Sequence, residues 1–571
     1  MTIKIYTVAE MVAVEKAADA AGLAYAQMME TAGRRVADAV QQRHDVAERS
    51  VLVLVGPGNN GGDGLVAGRY LAEAGAVVAF YLVKPRDVAD DENLARVEEM
   101  GLEVLLADYD QRFRVLRHRL RVTDIIIDAL LGTGVTRPIE GQLATIMEQV
   151  GAAIAEKRRA AAPSQPPLLS VAAPPAVPDD APAWDEERPR QPIIVAVDCP
   201  SGMNCDSGAL DPLAVSADLT VTFAGPKRGH FRFPGAAACG ELVVADIDID
   251  PQLPAVSGVA LELATADLAR ALLPARPPDG HKGTFGTALI AAGSIRYWGA
   301  PALAARGAFR GGAGMVTLAV PQRLRPALAG QFPEATYPAV TDTDTLGVAT
   351  ANLLLGSLSR YGALLVGPGL GEATSFMTAL LDGLRSTADG GILADDVTAP
   401  PLIVDADGLN LLAQMPSWPT RLPPNTILTP HPGEMARLVG RPLSAVRDEE
   451  RVELTRDCAA KWGHVVLLKG AYTVVAAPPD SVSGDGRATL LPFANPLLAV
   501  AGSGDVLGGV IAGLLAQGVK PYEAAVLGGY LHGAAGQLAA DYWGNAGLLA
   551  SELADWVSHV RRALTSLPAP V

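Results

Sequence analysis

Four cysteines in 571 residues, Cys199, Cys205, Cys239 and Cys458, leave no framework for disulfides, and none falls in a CxxC pair suggesting a thiolate metal site. Reduced thiols in a cytoplasmic protein are the expectation. Aromatics are scarce, at 5% of the chain, so Ala, Val, Leu and Gly must pack the cores. That texture suits parallel sheets under close-packed helices. No basic run interrupts a net charge of −16, which argues against nucleic acid or an anionic membrane as a partner. No apolar leader is expected from the first residues, and no apolar run is long enough to span a bilayer. An anionic substrate would have to be held by local clusters of N–H groups.

What is present is a repeated grammar: a short apolar run, a polar or glycine-rich turn, then a helix. At 571 residues, 49% of them hydrophobic, the chain is expected to form two or more domains with sizeable cores. Residues 8–40 read as helices. Ser50–Val55 reads as a buried strand breaking into Gly56-Pro57-Gly58-Asn59-Asn60-Gly61-Gly62-Asp63-Gly64, with a helix from about Leu65. That order places phosphate on a helix N-terminus at the carboxyl edge of a sheet. It is neither GxGxxG with a following ribose-binding acid nor a Walker loop, so a plain Rossmann dehydrogenase and a P-loop NTPase are rejected. Its Asn and Asp oxygens also suit a monovalent or hard divalent cation.

Strands at Val77–Val83, Ile125–Ala129 and Ile193–Val197 close with Lys84, with Asp128 and Leu131-Gly132-Thr133-Gly134, and with Asp198-Cys199-Pro200-Ser201. A carboxylate inside an apolar run, such as Asp128, is costly to bury without a partner. Polar residues closing four strands point to an open α/β site. Leu219–Phe223 and Gly240–Ile247 are further strands, flanking a basic loop at 226–230 in which Lys227 either neutralises a phosphate or sits in solvent. Residues 159–192, nine of them proline, read as an exposed insertion without chemistry. The first domain is expected to close near Asp250, with Pro251–Gly258 as linker.

The second half repeats the grammar at 287–292, 315–320, 364–366, 402–404, 426–428 and 465–468, which predicts one mostly parallel sheet. The turns after these strands hold Gly367-Pro368-Gly369, Asp405-Ala406-Asp407, His431 and Lys469. Its focus is Ala501-Gly502-Ser503-Gly504-Asp505, where glycines let several N–H groups converge near a helix N-terminus. Asp505 is read as a base that takes a proton from a hydroxyl meeting a phosphoryl group, or else as a plain helix cap.

Residues 56–64 with 128–138 and 198–202 resemble the YjeF N-terminal family, the NAD(P)H-hydrate epimerases. Residues 281–294, 367–371, 405–410, 429–434, 469–473 and 501–505 resemble the ADP/ATP-dependent NAD(P)H-hydrate dehydratases. Together the chain resembles the bifunctional NAD(P)H-hydrate repair enzymes over nearly its whole length, apart from the Ala/Pro-rich insertion. The resemblance implies an α/β protein: a Rossmann-like three-layer α/β/α domain at 1–250 and a ribokinase-like α/β domain at 251–571. It implies that Asn59, Asn60, Gly61, Gly62 and Asp63 hold the hydrate's phosphates, completed by Gly132, Thr133, Gly134, Val135, Thr136, Arg137, Pro138 and Asp198. Asn60, Asp128 and Ser201 would surround a potassium ion. In the second domain Ala300, Gly369, His431 and Asp505 would touch the hydrate. Lys469, Gly470, Ala471, Tyr472, Thr473 and Gly504 would hold ADP or ATP with Mg²⁺.

The implied substrates are NADH or NADPH carrying water across a ring double bond. Hydroxide is a poor leaving group, and phosphorylating the hydroxyl turns it into a good one. Asp505 would be the base for that step. Asp198 and Asp128, with Lys84 behind them, are the candidates for proton transfer in epimerisation. A homo-oligomer is expected. The competing readings are a ribokinase-like kinase for a small alcohol and a non-catalytic nucleotide-binding module in the first half.

Overall fold

The computed structural model describes residues 3–135, 137–161, 192–388, 399–424, 426–479 and 486–566. Thr136 and residues 162–191 of the insertion lie outside them. The chain divides into two compact units, one of residues 4–259 and one of residues 260–571 with residues 1–3.

The N-terminal unit is a seven-stranded sheet in the order Glu103–Leu106, Val77–Leu82, Ser50–Val55, Ile125–Ala129, Ile193–Val197, Leu219–Phe223 and Glu241–Ala245. Every pair is parallel. The central strands are apolar on both faces because helices cover both sides, one core holding Val53, Phe80 and Ile127 and the other Leu52, Tyr81 and Ile126. The chain runs outward from Ser50–Val55 and then returns to add Ile125–Ala129 beside it. That reversal opens a crevice at the carboxyl ends of these two strands.

Two expectations change here. The segment after Ser50–Val55 is not a loop up to Leu65, for the helix already spans Asn59–Glu73. Its glycines are contact points: a Cβ at Gly64 would lie 2.4 Å from that of Ala129, and one at Gly68 2.4 Å from the Phe80 ring. Bare backbone lets the helix lie directly on the sheet. The segment after Asp250 is not a free linker either. Pro254–Ser257 is a short helix, and Val256 and Val259 are buried with Tyr6, Met11 and Val14, so the first unit runs on to Val259.

Among the described residues the C-terminal sheet runs in the order Leu261–Leu263, Ala488–Leu490, Val474–Ala476, Val465–Leu468, Ile427–Leu428, Leu402–Val404, Ala363–Val366, Thr287–Ala291 and Met315–Ala319. The block from Met315–Ala319 to Val465–Leu468 is parallel, and Val474–Ala476 pairs antiparallel on both sides. On one face the helix Ser503–Ala516 lies against Ala300–Gly311, backed by Pro521–Trp543 and Ala550–Ser566.

Candidate functional sites

In the N-terminal unit a cavity of about 690 Å³ fills the crevice. Asn59, Asn60, Gly132, Thr133, Gly134, Val135, Arg137 and Pro138 line it, so most of the residues expected to bind the hydrate meet in one place. The open N-terminus of Asn59–Glu73 and the Arg137 guanidinium both favour an anion there. Gly61, Gly62 and Asp63 do not line it; they belong to the helix behind its mouth. Lys84 is exposed, and the cation at the loop is Arg86, whose Nη1 donates to the Gly56 and Gly58 carbonyls at 2.8 and 3.2 Å.

Asn60, Asp128 and Ser201 come together around the Leu131 peptide. Ser201 donates to Asp128 through Oγ at 2.6 Å and through its N–H at 2.9 Å. The Leu131 N–H donates to Ser201 Oγ at 2.9 Å, and Asn60 Nδ2 donates to the Leu131 carbonyl at 3.1 Å. Burial pushes the Asp128 carboxyl up, and these donors pull it back only in part. A buried carboxylate beside hydroxyl, amide and carbonyl oxygens is a hard donor set that fits a monovalent cation. The Asn60 amide would present its oxygen after a flip.

Asp198 is not among the residues that line this cavity. Its Oδ1 accepts from Lys227 Nζ at 2.5 Å and from Thr222 Oγ1 at 2.8 Å. Lys227 is 1% exposed, so its ammonium is buried against Asp198 rather than solvated. Burial pushes the Asp198 carboxyl up, yet the Lys227 charge and hydrogen bond outweigh it and hold the group below the usual range.

In the C-terminal unit the site lies along the carboxyl edge of the parallel block. The helix Ser503–Ala516 starts inside the expected glycine turn, with Gly502 left-handed at φ 90°. Asp505 is in its first turn. Burial pushes its carboxyl up to about 7, helped by the charge of Asp405 and opposed by Lys469. Lys469 Nζ donates to Asp405 Oδ1 at 2.7 Å, lies 3.7 Å from Glu434, and closes on Gly504. Burial also lifts Glu434, to about 7. Gly369, left-handed at φ 63°, packs against Ala300 and Tyr297. His431 is half exposed and caps Pro432–Val439, its Nδ1 accepting from the Gly433 N–H at 2.9 Å. Gly470, Ala471, Tyr472 and Thr473 form the tight turn between Val465–Leu468 and Val474–Ala476, closed by Thr473 Oγ1 donating to the Gly470 carbonyl at 2.8 Å.

Residues 288–558 match the NAD(P)H-hydrate dehydratase family, and residues 25–229 match the YjeF-related protein N-terminus. The bifunctional NAD(P)H-hydrate repair enzyme Nnr of Moorella thermoacetica is 37% identical over 544 residues, covering 94% of this chain and 92% of its own. The chain belongs to the bifunctional NAD(P)H-hydrate repair enzymes. The enzyme of that name from Thermofilum pendens is 35% identical, covering 98% of this chain and 97% of its own. A crystal structure of the ADP/ATP-dependent NAD(P)H-hydrate dehydratase from Bacillus subtilis, co-crystallized with ATP/Mg²⁺, is 32% identical over 53% of this chain and 98% of its own, with a TM-score of 0.43.

In this repair enzyme several polar residues of the two sites gave weak signals in the sequence. Lys227 sits in an unremarkable basic loop. Asp405 and Glu434 follow strands, as many polar residues do, and only their burial at 1% and 5% exposure marks them. Among the described residues no helix is long and apolar enough to cross a membrane.

Proposed function

We propose that the chain returns hydrated NADH and NADPH to the reduced cofactors in two steps. The N-terminal unit interconverts the R and S hydrates. The C-terminal unit phosphorylates the hydroxyl of the S hydrate from ADP or ATP, and the ring nitrogen then expels phosphate. The observation that carries the second step is Asp505 at a helix N-terminus with its carboxyl lifted to about 7, beside the Lys469–Asp405 pair. A carboxylate titrating there is basic enough to take a hydroxyl proton, and the N–H groups at 502–504 can receive the transferring phosphoryl group. Ala300, Gly369 and His431 would hold the hydrate, and residues 469–473 the nucleotide. Among the described residues no trio of His, Cys, Asp or Glu side chains converges as a metal site, so Mg²⁺ would take most of its ligands from the nucleotide's phosphates. It would neutralise charge on the transferred group.

In the first unit the cavity would take the hydrate's phosphates, with Asp198 as base. Asn60, Asp128 and Ser201 would hold K⁺, which would supply the counter-charge for Asp128. The four cysteines are free and buried, which supports a reducing compartment such as the cytoplasm. We retain a homo-oligomer as the proposed assembly.

The test is recovery of NADH absorbance from a mixture of both hydrate epimers with ADP, ATP or neither. Full recovery with one nucleotide is expected. A stable phosphorylated product would instead favour a small-molecule kinase.

A further inference from the structure

The segment between the strand Val77–Leu82 and the helix Glu92–Glu99 is tied to the glycine loop by one side chain. Arg86 Nη1 donates to the Gly56 carbonyl at 2.8 Å and to the Gly58 carbonyl at 3.2 Å. Its Nε donates to Asp91 Oδ2. The pair is largely buried, the two side chains being 15% and 13% exposed. Asp91 is itself fixed, because its Oδ1 accepts from the Asn93 and Leu94 N–H groups, both at 3.1 Å, and so caps Glu92–Glu99. The guanidinium is therefore anchored to a helix end on one side and grips two loop carbonyls on the other.

Gly61 makes room for that grip. A Cβ there would lie 2.1 Å from the Gly56 carbonyl oxygen and 3.0 Å from Arg86 Nη1, so only bare backbone can pass over the contact. Gly58 is the N-cap of Asn59–Glu73, and no side chain caps that end. Among the described residues neither the Asn59 nor the Asn60 N–H donates to a protein acceptor, as first-turn donors do not within a helix. The Gly58–Asn59 peptide is trans, and a trans peptide points its C=O and its N–H in opposite directions. Holding the Gly58 carbonyl toward Arg86 turns the Asn59 N–H the other way. Gly58, Asn59 and Asn60 line the cavity and Arg86 does not, so the guanidinium lies behind the loop and the free N–H in front of it.

We infer that Arg86 is a positioning residue for phosphate binding in the N-terminal unit: from behind the loop it aims the Asn59 N–H into the cavity, and Asp91 holds it there. This rests on the reading of that cavity as the phosphate site of an epimerase. A hydrogen bond from an N–H to a phosphate oxygen is charge-assisted, and it weakens steeply as the donor turns away from line. A loop free to rotate at Gly58 loses that donor while keeping every residue that touches the ligand. Lysine at position 86 would offer a compact ammonium in place of a planar fork, and could not hold Asp91 and both carbonyls in the same geometry.

The test follows interconversion of purified R and S hydrates by the full chain without nucleotide, so that dehydration is silent. Arg86→Met is expected to raise KM about 10- to 100-fold, with a much smaller change in kcat. Arg86→Lys should recover part of the loss. Asp91→Asn keeps a residue that caps the helix and removes only the charge, so KM should rise in the same sense but by less. The hydrate of reduced nicotinamide riboside carries no phosphate and separates aiming from general damage. Its kcat/KM should fall at least about tenfold less in Arg86→Met than that of the phosphate-bearing hydrate. Equal losses on the two substrates, a loss confined to kcat, or a wild-type KM in both Arg86→Met and Asp91→Asn would each overturn the role. If Arg86→Met does not fold, Asp91→Asn on the two substrates decides by the same criteria. A wild-type chain that does not interconvert the epimers at all would instead bring down the epimerase reading, and this assignment with it.

Discussion

Asp505 is placed where its charge is least comfortable, and two predictions follow from that. Because its carboxyl is lifted to about 7 and it must be ionised to act as the proposed base, dehydration should rise with pH through about 7. Asp505→Asn should abolish dehydration and spare epimerisation; a pH–rate profile and an epimer assay check both. The stability effect has the opposite sense. A carboxyl raised in the folded state contributes stability below its unfolded value, and that contribution is lost as pH rises through about 7. Asp505→Asn should therefore stabilise the protein by about 1–3 kcal/mol at pH 8, with the gain vanishing toward pH 4. Melting curves at the two pH values measure it. Asp505 was legible in the sequence because the glycines around it advertise a turn. Lys227, Asp405 and Glu434 were not, since a lysine or carboxylate acquires its role from burial and from a partner far along the chain. Lys469 and Asp405, 2.7 Å apart, are separated by 64 positions.

At the scale of elements, the helix that carries Asp505 is set by backbone contact. A Cβ at Gly509 would lie 2.0 Å from the Ala304 carbonyl oxygen, and one at Gly513 2.3 Å from that of Ala308. The opposing helix answers with Gly307, whose added Cβ would meet the Val506 carbonyl at 2.3 Å. Small residues on both helices bring the axes close and hold Asp505 at its depth. Gly509→Ala must push them apart, and should cost about 1–3 kcal/mol in a denaturant titration. It should also lower kcat for dehydration, since roughly 1 Å of misplacement can cost about 10²-fold. The apolar strands were readable from composition. The start of Asn59–Glu73 was not, because glycine signals a loop locally and reveals itself as a packing residue only when a sheet lies beneath it.

At the scale of the whole molecule, two sheets give two carboxyl edges, and the proposed reactions are divided between them. If the hydrate passes through solution from one site to the other, full-length Asp198→Asn and full-length Asp505→Asn should each fail on a mixed-epimer substrate, the first stopping when the S hydrate is consumed. Mixed together, they should restore full recovery of NADH absorbance. Failure of the mixture, with each variant retaining its own reaction, would show that the two activities must share one chain.

The sequence by itself determined the fold class and the glycine-rich turns, because continuous apolar runs and glycine punctuation are local properties of the chain. Only the tertiary structure decided which charges are buried together. It turned a loop lysine into the partner of Asp198. It also lifted Asp505 toward neutrality, because desolvation and Coulomb energy depend on neighbours that the order of residues does not reveal.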